Sequence, residues 1–177
     1  FEKLAKPDLV EQKGFQFVDH LTNNVEKGTM AALSDFYKSV FGFTEIRYFD
    51  IRGVKTGLTS YALRSPCGKF CIPINEADEA KSQINEYLRE YKGPGIQHIA
   101  LICDDLIECW DNLQKLGVPF MTAPPETYYK MLEGRLPGHG EPVELLQQRG
   151  ILLDGTTEGG RPRLLLQIFA QPQIGPV

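Results

Sequence analysis

The chain has 177 residues, 19 basic against 23 acidic for a net charge of −4, and 42% hydrophobic content. That is enough to bury a core in one domain or two small modules, and the interspersed charges leave no basic footprint for nucleic acid. No apolar run approaches the ~20 residues of a bilayer span, and the opening residues lack the charged-then-apolar pattern of a signal peptide, so no membrane partner is expected.

Residues 1–14 are polar, begin without a methionine and read as a linker from something upstream. A strand is expected over 15–22, where Phe15, Phe17 and Leu21 alternate with a set containing His20. A helix follows over 30–41. Leu33, Phe36, Tyr37, Val40 and Phe41 recur at spacings of three and four, which defines one apolar face, and Gly42 supplies the stop. Three β-rich runs, 44–51, 58–63 and 70–74, are divided by Gly or Pro. The order is therefore β-α-β-β-β, closed by a polar, helix-prone connector over 76–91.

The pattern then restarts. Residues 96–103 form a strand carrying His98, and Asp105 with Glu108 has capping-box spacing at the start of a helix that runs to Leu116 and stops at Gly117. Residues 121–150 break the repeat. They are rich in proline and read as an inserted surface segment with one or two short helices. Strands resume at 151–153 and 164–169, and residues 174–177 form a turn. The expected division is a linker (1–14), a first βαβββ module with its connector (15–91), and a second module (92–177) that lacks its final strand.

Two of the three histidines, His20 and His98, occupy equivalent points of the repeat. A lone histidine in a strand is ordinarily a packing residue, but matched residues of a repeat converge on a shared cavity, which makes the pair candidate ligands of one metal. Imidazole alone does not choose among Zn, Fe, Ni and Mn. A carboxylate on the absent last strand would complete the two-histidine, one-carboxylate set of non-haem Fe(II) oxygenases. His139, between glycines in the proline-rich segment, reads as a surface residue. Cys67, Cys71, Cys103 and Cys109 lack zinc-type pairing and read as buried or half-buried thiols in a reducing cytosol.

Several longer motifs identify a relative: VDHLTNNV (18–25), GTMAALSDFYKSVFGF (28–43), TGLTSYALRSP (56–66), IPINEADEAKSQI (72–84), GPGIQHIAL (93–101), YYKML (128–132), GILLDG (150–155) and LLLQIF (164–169). Over residues 15–177 the chain resembles the C-terminal half of the 4-hydroxyphenylpyruvate dioxygenase family, an α+β vicinal oxygen chelate fold of the glyoxalase and bleomycin-resistance type. The resemblance implies an Fe(II) enzyme that takes an aromatic 2-oxo acid and O2 to homogentisate and CO2 in tyrosine and phenylalanine catabolism. It makes His20 and His98 two iron ligands, with a third, a glutamate, expected beyond Val177. It places Ser60, Asn75, Gln83, Gln97, Gln167 and Phe169 around the substrate.

Read without the family, Asn75 and Gln97 could serve exposed backbone at strand ends, Gln83 could be solvated and Phe169 could pack in a core. The intact protein is expected to be a homo-oligomer, and a fragment lacking the third ligand is expected to be inactive. Two other readings share the fold: a 4-hydroxymandelate synthase with the same ligands, and a metal-free binding protein.

Overall fold

A computed structural model describes residues 12–52, 57–77 and 81–177, with side chains described outside 47–52 and 57–58. Most of the expected linker over 1–14 thus lies outside the described residues. The described residues divide into two compact units, one within 16–102 together with 172–177 and the other formed by 12–15 with 103–171. Among the described residues no helix is long and apolar enough to cross a membrane.

The first unit is built on β1 (Phe15–Val25), α1 (Met30–Phe41), β2 (Thr44–Arg52), β3 (Gly57–Arg64), β4 (Cys71–Ala77), α2 (Gln83–Tyr91) and β5 (Gly95–Cys103). Its strands make one five-stranded sheet in the order β2-β3-β4-β1-β5, with β1 parallel to β4. The β-α-β-β-β order expected from hydrophobic periodicity is therefore present. β5, the strand that restarts the pattern, adds to the same sheet beside β1. Both histidine-bearing strands are thus neighbours.

Helix α1 ends where Gly42 adopts a left-handed conformation (φ 68°). Its N–H donates to the Lys38 carbonyl, and the N–H of Phe43 donates to that of Tyr37. The helix start has no side-chain cap of its own. Glu76 on β4 supplies one instead, its Oε2 accepting from the N–H groups of Gly28 (3.0 Å) and Met30 (3.2 Å). A carboxylate there satisfies orphan donors and opposes the positive end of the helix dipole. Glu76→Ala is expected to destabilise the fold by about 1 kcal/mol, the usual cost of losing an N-cap. Chemical denaturation measures it; a midpoint unchanged from wild type contradicts the role.

The apolar face of α1 is narrower than its sequence suggests. Met30 and Ser34 are buried, and Leu33 and Tyr37 pack against the core of Val25, Met30, Leu63, Ile72 and Ile74. Phe36, Val40 and Phe41, expected on the same face, are about half exposed instead, and the Phe36 ring makes edge-on contacts with Tyr37 and Phe41. The buried stripe is the i, i+3, i+4, i+7 row of Met30, Leu33, Ser34 and Tyr37, so Leu33 and Tyr37 lie on it as expected while Phe36, Val40 and Phe41 lie off it.

Helix α2 starts later than the connector periodicity implies, because β4 continues to Ala77. Ser82 caps it by accepting from the Asn85 N–H at 3.3 Å. Its C-terminal rings then fix the entry to β5. Tyr87 stacks on Tyr91, and its hydroxyl donates to the Ile96 carbonyl at 2.8 Å. Gly95 lies directly beneath this pair, where an added Cβ would fall on the Tyr91 ring and the Tyr87 hydroxyl. Glycine is needed for that close approach.

The second unit contains α3 (Leu106–Lys115), α4 (Glu126–Lys130), α5 (Leu132–Arg135), α6 (Val143–Arg149), and the antiparallel pair β6 (Leu152–Thr156) and β7 (Arg163–Gln167). Asp105 caps α3 as its spacing suggests, accepting from the Glu108 N–H at 3.0 Å. The segment 121–150 is not a surface insertion. Its three short helices supply Tyr129, Leu132 and Leu146, and the residue that ends α5 supplies Leu136; with Ile151 and Leu153 these form the core of this unit. His139 is likewise buried. Its Nδ1 accepts from the Glu141 N–H at 2.9 Å, which places its ring proton on Nε2, 3.6 Å from a Glu133 carboxylate oxygen.

Tyr128 and Arg135 tie this core to β6. The Tyr128 hydroxyl donates to the Leu153 carbonyl and accepts from the Leu153 N–H, both at 3.0 Å, so one phenol serves β6 as a neighbouring strand would. Arg135 lies over the Tyr128 ring and pairs with Asp154 at 2.6 Å. A bidentate contact between Arg149 and Asp111, at 3.0 and 3.1 Å, joins α6 to α3 and holds the Asp111 carboxyl below its usual range.

Candidate metal centre

Strand alternation puts His20, Thr22 and Asn24 on one face of β1. The neighbouring strands bring matching residues to it. Thr22, almost fully buried, places its Oγ1 3.0 Å from His98 Nε2 on β5. Asn24 is the register partner of Asn75 on β4, which in turn faces Ser60 on β3. The Asn75 amide donates to Asn24 Oδ1 at 3.5 Å. Asn24 and Ser60 are both buried, which makes the row polar in a position where polar groups need partners.

The two imidazoles meet through their Nε2 atoms, 3.4 Å apart, with ring planes 77° from parallel. Each Nδ1 faces an oxygen on the residue just before it in sequence: Asp19 Oδ2 lies 2.7 Å from His20 Nδ1, and Gln97 Oε1 lies 2.6 Å from His98 Nδ1. An ionised carboxylate and an amide oxygen only accept, so the Nδ1 atoms carry the protons and the Nε2 atoms keep their lone pairs. Burial first, and His20 beside it, holds the His98 imidazole below its ordinary pKa, which favours the neutral, ligating form.

Two lone pairs facing each other across 3.4 Å repel; the Thr22 hydroxyl is placed to donate to that of His98, and a shared cation would draw on both. An ion about 2.0–2.1 Å from each nitrogen, the length of an imidazole–metal bond, fits between them. The donor pair therefore suits a metal. Among the described residues no group of three His, Cys, Asp or Glu side chains is assembled, so the pair supplies two donors.

The other residues expected around a substrate are placed as follows. Gln83 opens α2 with its side chain exposed. In the second unit Gln167, at the end of β7, donates to Asp154 at 3.4 Å, and Phe169 is about half exposed while its backbone carbonyl accepts from Met121. Sequence reasoning missed Asp19, Thr22 and Asn24. For Thr22 and Asn24 the signal was the alternation itself, which β1 carries past Thr22 to Val25; Asp19 belongs to the opposite set, which alternation does not bring to His20.

The cysteines differ sharply. Cys67 is exposed, and the Ser65 hydroxyl at 3.2 Å lowers its thiol pKa; Cys109 is buried, which pushes its own up to about 11. Thiolate is the reactive form. Iodoacetamide at a pH of about 8 should alkylate Cys67 first and Cys109 last by peptide mass mapping. Early modification of Cys109 would contradict that order.

Residues 10–144 match the Glyoxalase/Bleomycin resistance protein/Dioxygenase superfamily, and the chain belongs to that superfamily, with the α+β vicinal oxygen chelate fold. Among curated relatives, 4-hydroxyphenylpyruvate dioxygenase of Pseudomonas sp. (strain P.J. 874) is 57% identical over 93% of this chain and 46% of its own length. Protein MelA of Shewanella colwelliana is 48% identical over 100% of this chain and 50% of its own length. The chain thus spans about half the length of these relatives. A solved triple mutant of 4-hydroxymandelate synthase from Streptomyces coelicolor superposes with a TM-score of 0.76 at 26% identity, covering 88% of this chain and 43% of that one.

Proposed function

We propose that the protein of which this chain is a part is an Fe(II)-dependent 4-hydroxyphenylpyruvate dioxygenase, which converts 4-hydroxyphenylpyruvate and O2 to homogentisate and CO2. The observation that carries this reading is the pair of Nε2 lone pairs set 3.4 Å apart on adjacent strands, in a chain whose curated relatives include that enzyme at 57% identity. His20 and His98 hold the ion, with a glutamate beyond Val177 as third ligand. The chemistry a ferrous ion brings to such a site is chelation of a 2-oxo acid and activation of dioxygen at positions the protein leaves open.

The chain's own residues bind and orient. Ser60 and Asn75 are opposed in register on the histidine-bearing face, and with Gln83 and Gln97 of the same unit they are the proposed substrate contacts; Gln167 and Phe169 are separate candidates carried by the other unit. Amides and a hydroxyl suit this work, because they fix a carboxylate and a phenol by hydrogen bonds without competing for the metal. An aromatic side chain such as Phe169 offers the substrate ring an apolar surface. The wider reading places the protein in the cytoplasm, in tyrosine catabolism, as a homo-oligomer.

The fold match to 4-hydroxymandelate synthase supports a second reading, in which the same ligands direct oxidation to the side chain instead of the ring. Product identification separates the two. Full-length protein supplied with Fe(II), O2 and 4-hydroxyphenylpyruvate should release homogentisate and one CO2 per turnover; 4-hydroxymandelate as the main product would overturn the first reading.

A further inference from the structure

We propose that Asp19 and Gln97 are a matched pair of positioning residues that set the tautomer and orientation of the two ligand histidines. The role rests on the metal-binding reading of His20 and His98. Neighbouring side chains of a strand leave from opposite faces, so contact between residues i and i+1 is not built into strand geometry. It nevertheless occurs at both histidines, on β1 and on β5, at 2.7 and 2.6 Å. The same device appears in both copies of the repeat, in each case from the residue immediately before the histidine.

The consequence is chemical. Neutral imidazole has one N–H, and the nitrogen that holds it cannot bind a metal. In solution the proton would exchange between the two ring nitrogens. An acceptor fixed against Nδ1 holds it there, leaves the Nε2 lone pair for the metal, and makes the imidazole a better donor. The acceptors are not equivalent. Asp19 is a carboxylate and gives His20 the greater electron donation, whereas Gln97 is neutral and serves His98. Gln97 also retains two amide N–H donors, so holding His98 through its oxygen is compatible with a ligand contact through its nitrogen.

Histidine 15N spectra of the full-length, metal-free protein, assigned by substituting each histidine in turn, should show Nδ1–H and unprotonated Nε2 at both His20 and His98. Asp19→Ala and Gln97→Ala should each mix the tautomers of their own histidine and weaken Fe(II) affinity, measured anaerobically without substrate, by about 10–100-fold. Asp19→Asn and Gln97→Glu, which keep an oxygen acceptor, should restore the tautomer and much of the affinity. Nε2–H rings in the wild type, or alanine variants with unchanged tautomer and affinity, would overturn the role. A wild-type protein with both Nδ1 protons in place that takes up no Fe(II) would instead sink the metal-binding reading, and this role with it.

Discussion

Replacing His20 or His98 with alanine in the full-length protein is expected to abolish turnover while leaving the fold intact. Each side chain contributes one of the two converging nitrogens. Removing either leaves the proposed three-ligand set with one imidazole and the glutamate, two donors where a facial iron site uses three. The cost to stability should be small, within about 1 kcal/mol, because neither ring belongs to an apolar core. The measurement pairs a turnover assay with thermal unfolding. A variant that stays folded but inactive supports the assignment, and retained activity in either variant would refute it.

The second large effect concerns the segment 121–150. Leu132 and Leu146 have no exposed surface and pack with Tyr129, Ile151 and Leu153. Leu146→Ala deletes buried methyl and methylene groups and leaves a cavity that close-packed neighbours fill only in part, at a cost of about 2–5 kcal/mol. Against the ~5–15 kcal/mol that separates folded from unfolded states, that is a substantial share. Met131, on the same run but 61% exposed, is the control: Met131→Ala should change stability by less than about 0.5 kcal/mol. If denaturant midpoints for the two variants coincided, the segment would be the surface insertion its composition suggests.

That contrast shows why part of the fold is legible in the sequence and part is not. The β-α-β-β-β order could be read because its elements are long enough to show a period and are divided by glycine and proline. The helices of 121–150 have four to seven residues, too few to display one, and the prolines between them resemble loop composition. Tyr129, Leu132 and Leu136 do recur at helical spacing, but across the boundaries of two elements. His139 was misjudged for the same reason, since its flanking glycines suggested a mobile loop while the ring is held by Glu141 and buried.

The candidate site was legible in its centre and not in its surroundings. His20 and His98 stood out because scarce residues recur at matched points of a repeat. Ser60 and Asn75 were reached through family resemblance, and strand register explains their association: each is opposite the other, and Asn75 is opposite Asn24. Asp19, Thr22 and Asn24 lie within VDHLTNNV, but the motif assigns none of them a contact. Those of Thr22 and Asn24 depend on which strands lie beside β1, which local periodicity does not give, and that of Asp19 depends on its side chain reaching the adjacent His20.

The central claim is that His20 and His98 together hold one iron. Full-length protein loaded anaerobically with Fe(II), freed of excess metal and analysed for iron content tests it most directly. The account predicts one iron per chain in the wild type and none in the His20→Ala, His98→Ala double variant. One iron per chain retained by a folded double variant would contradict it.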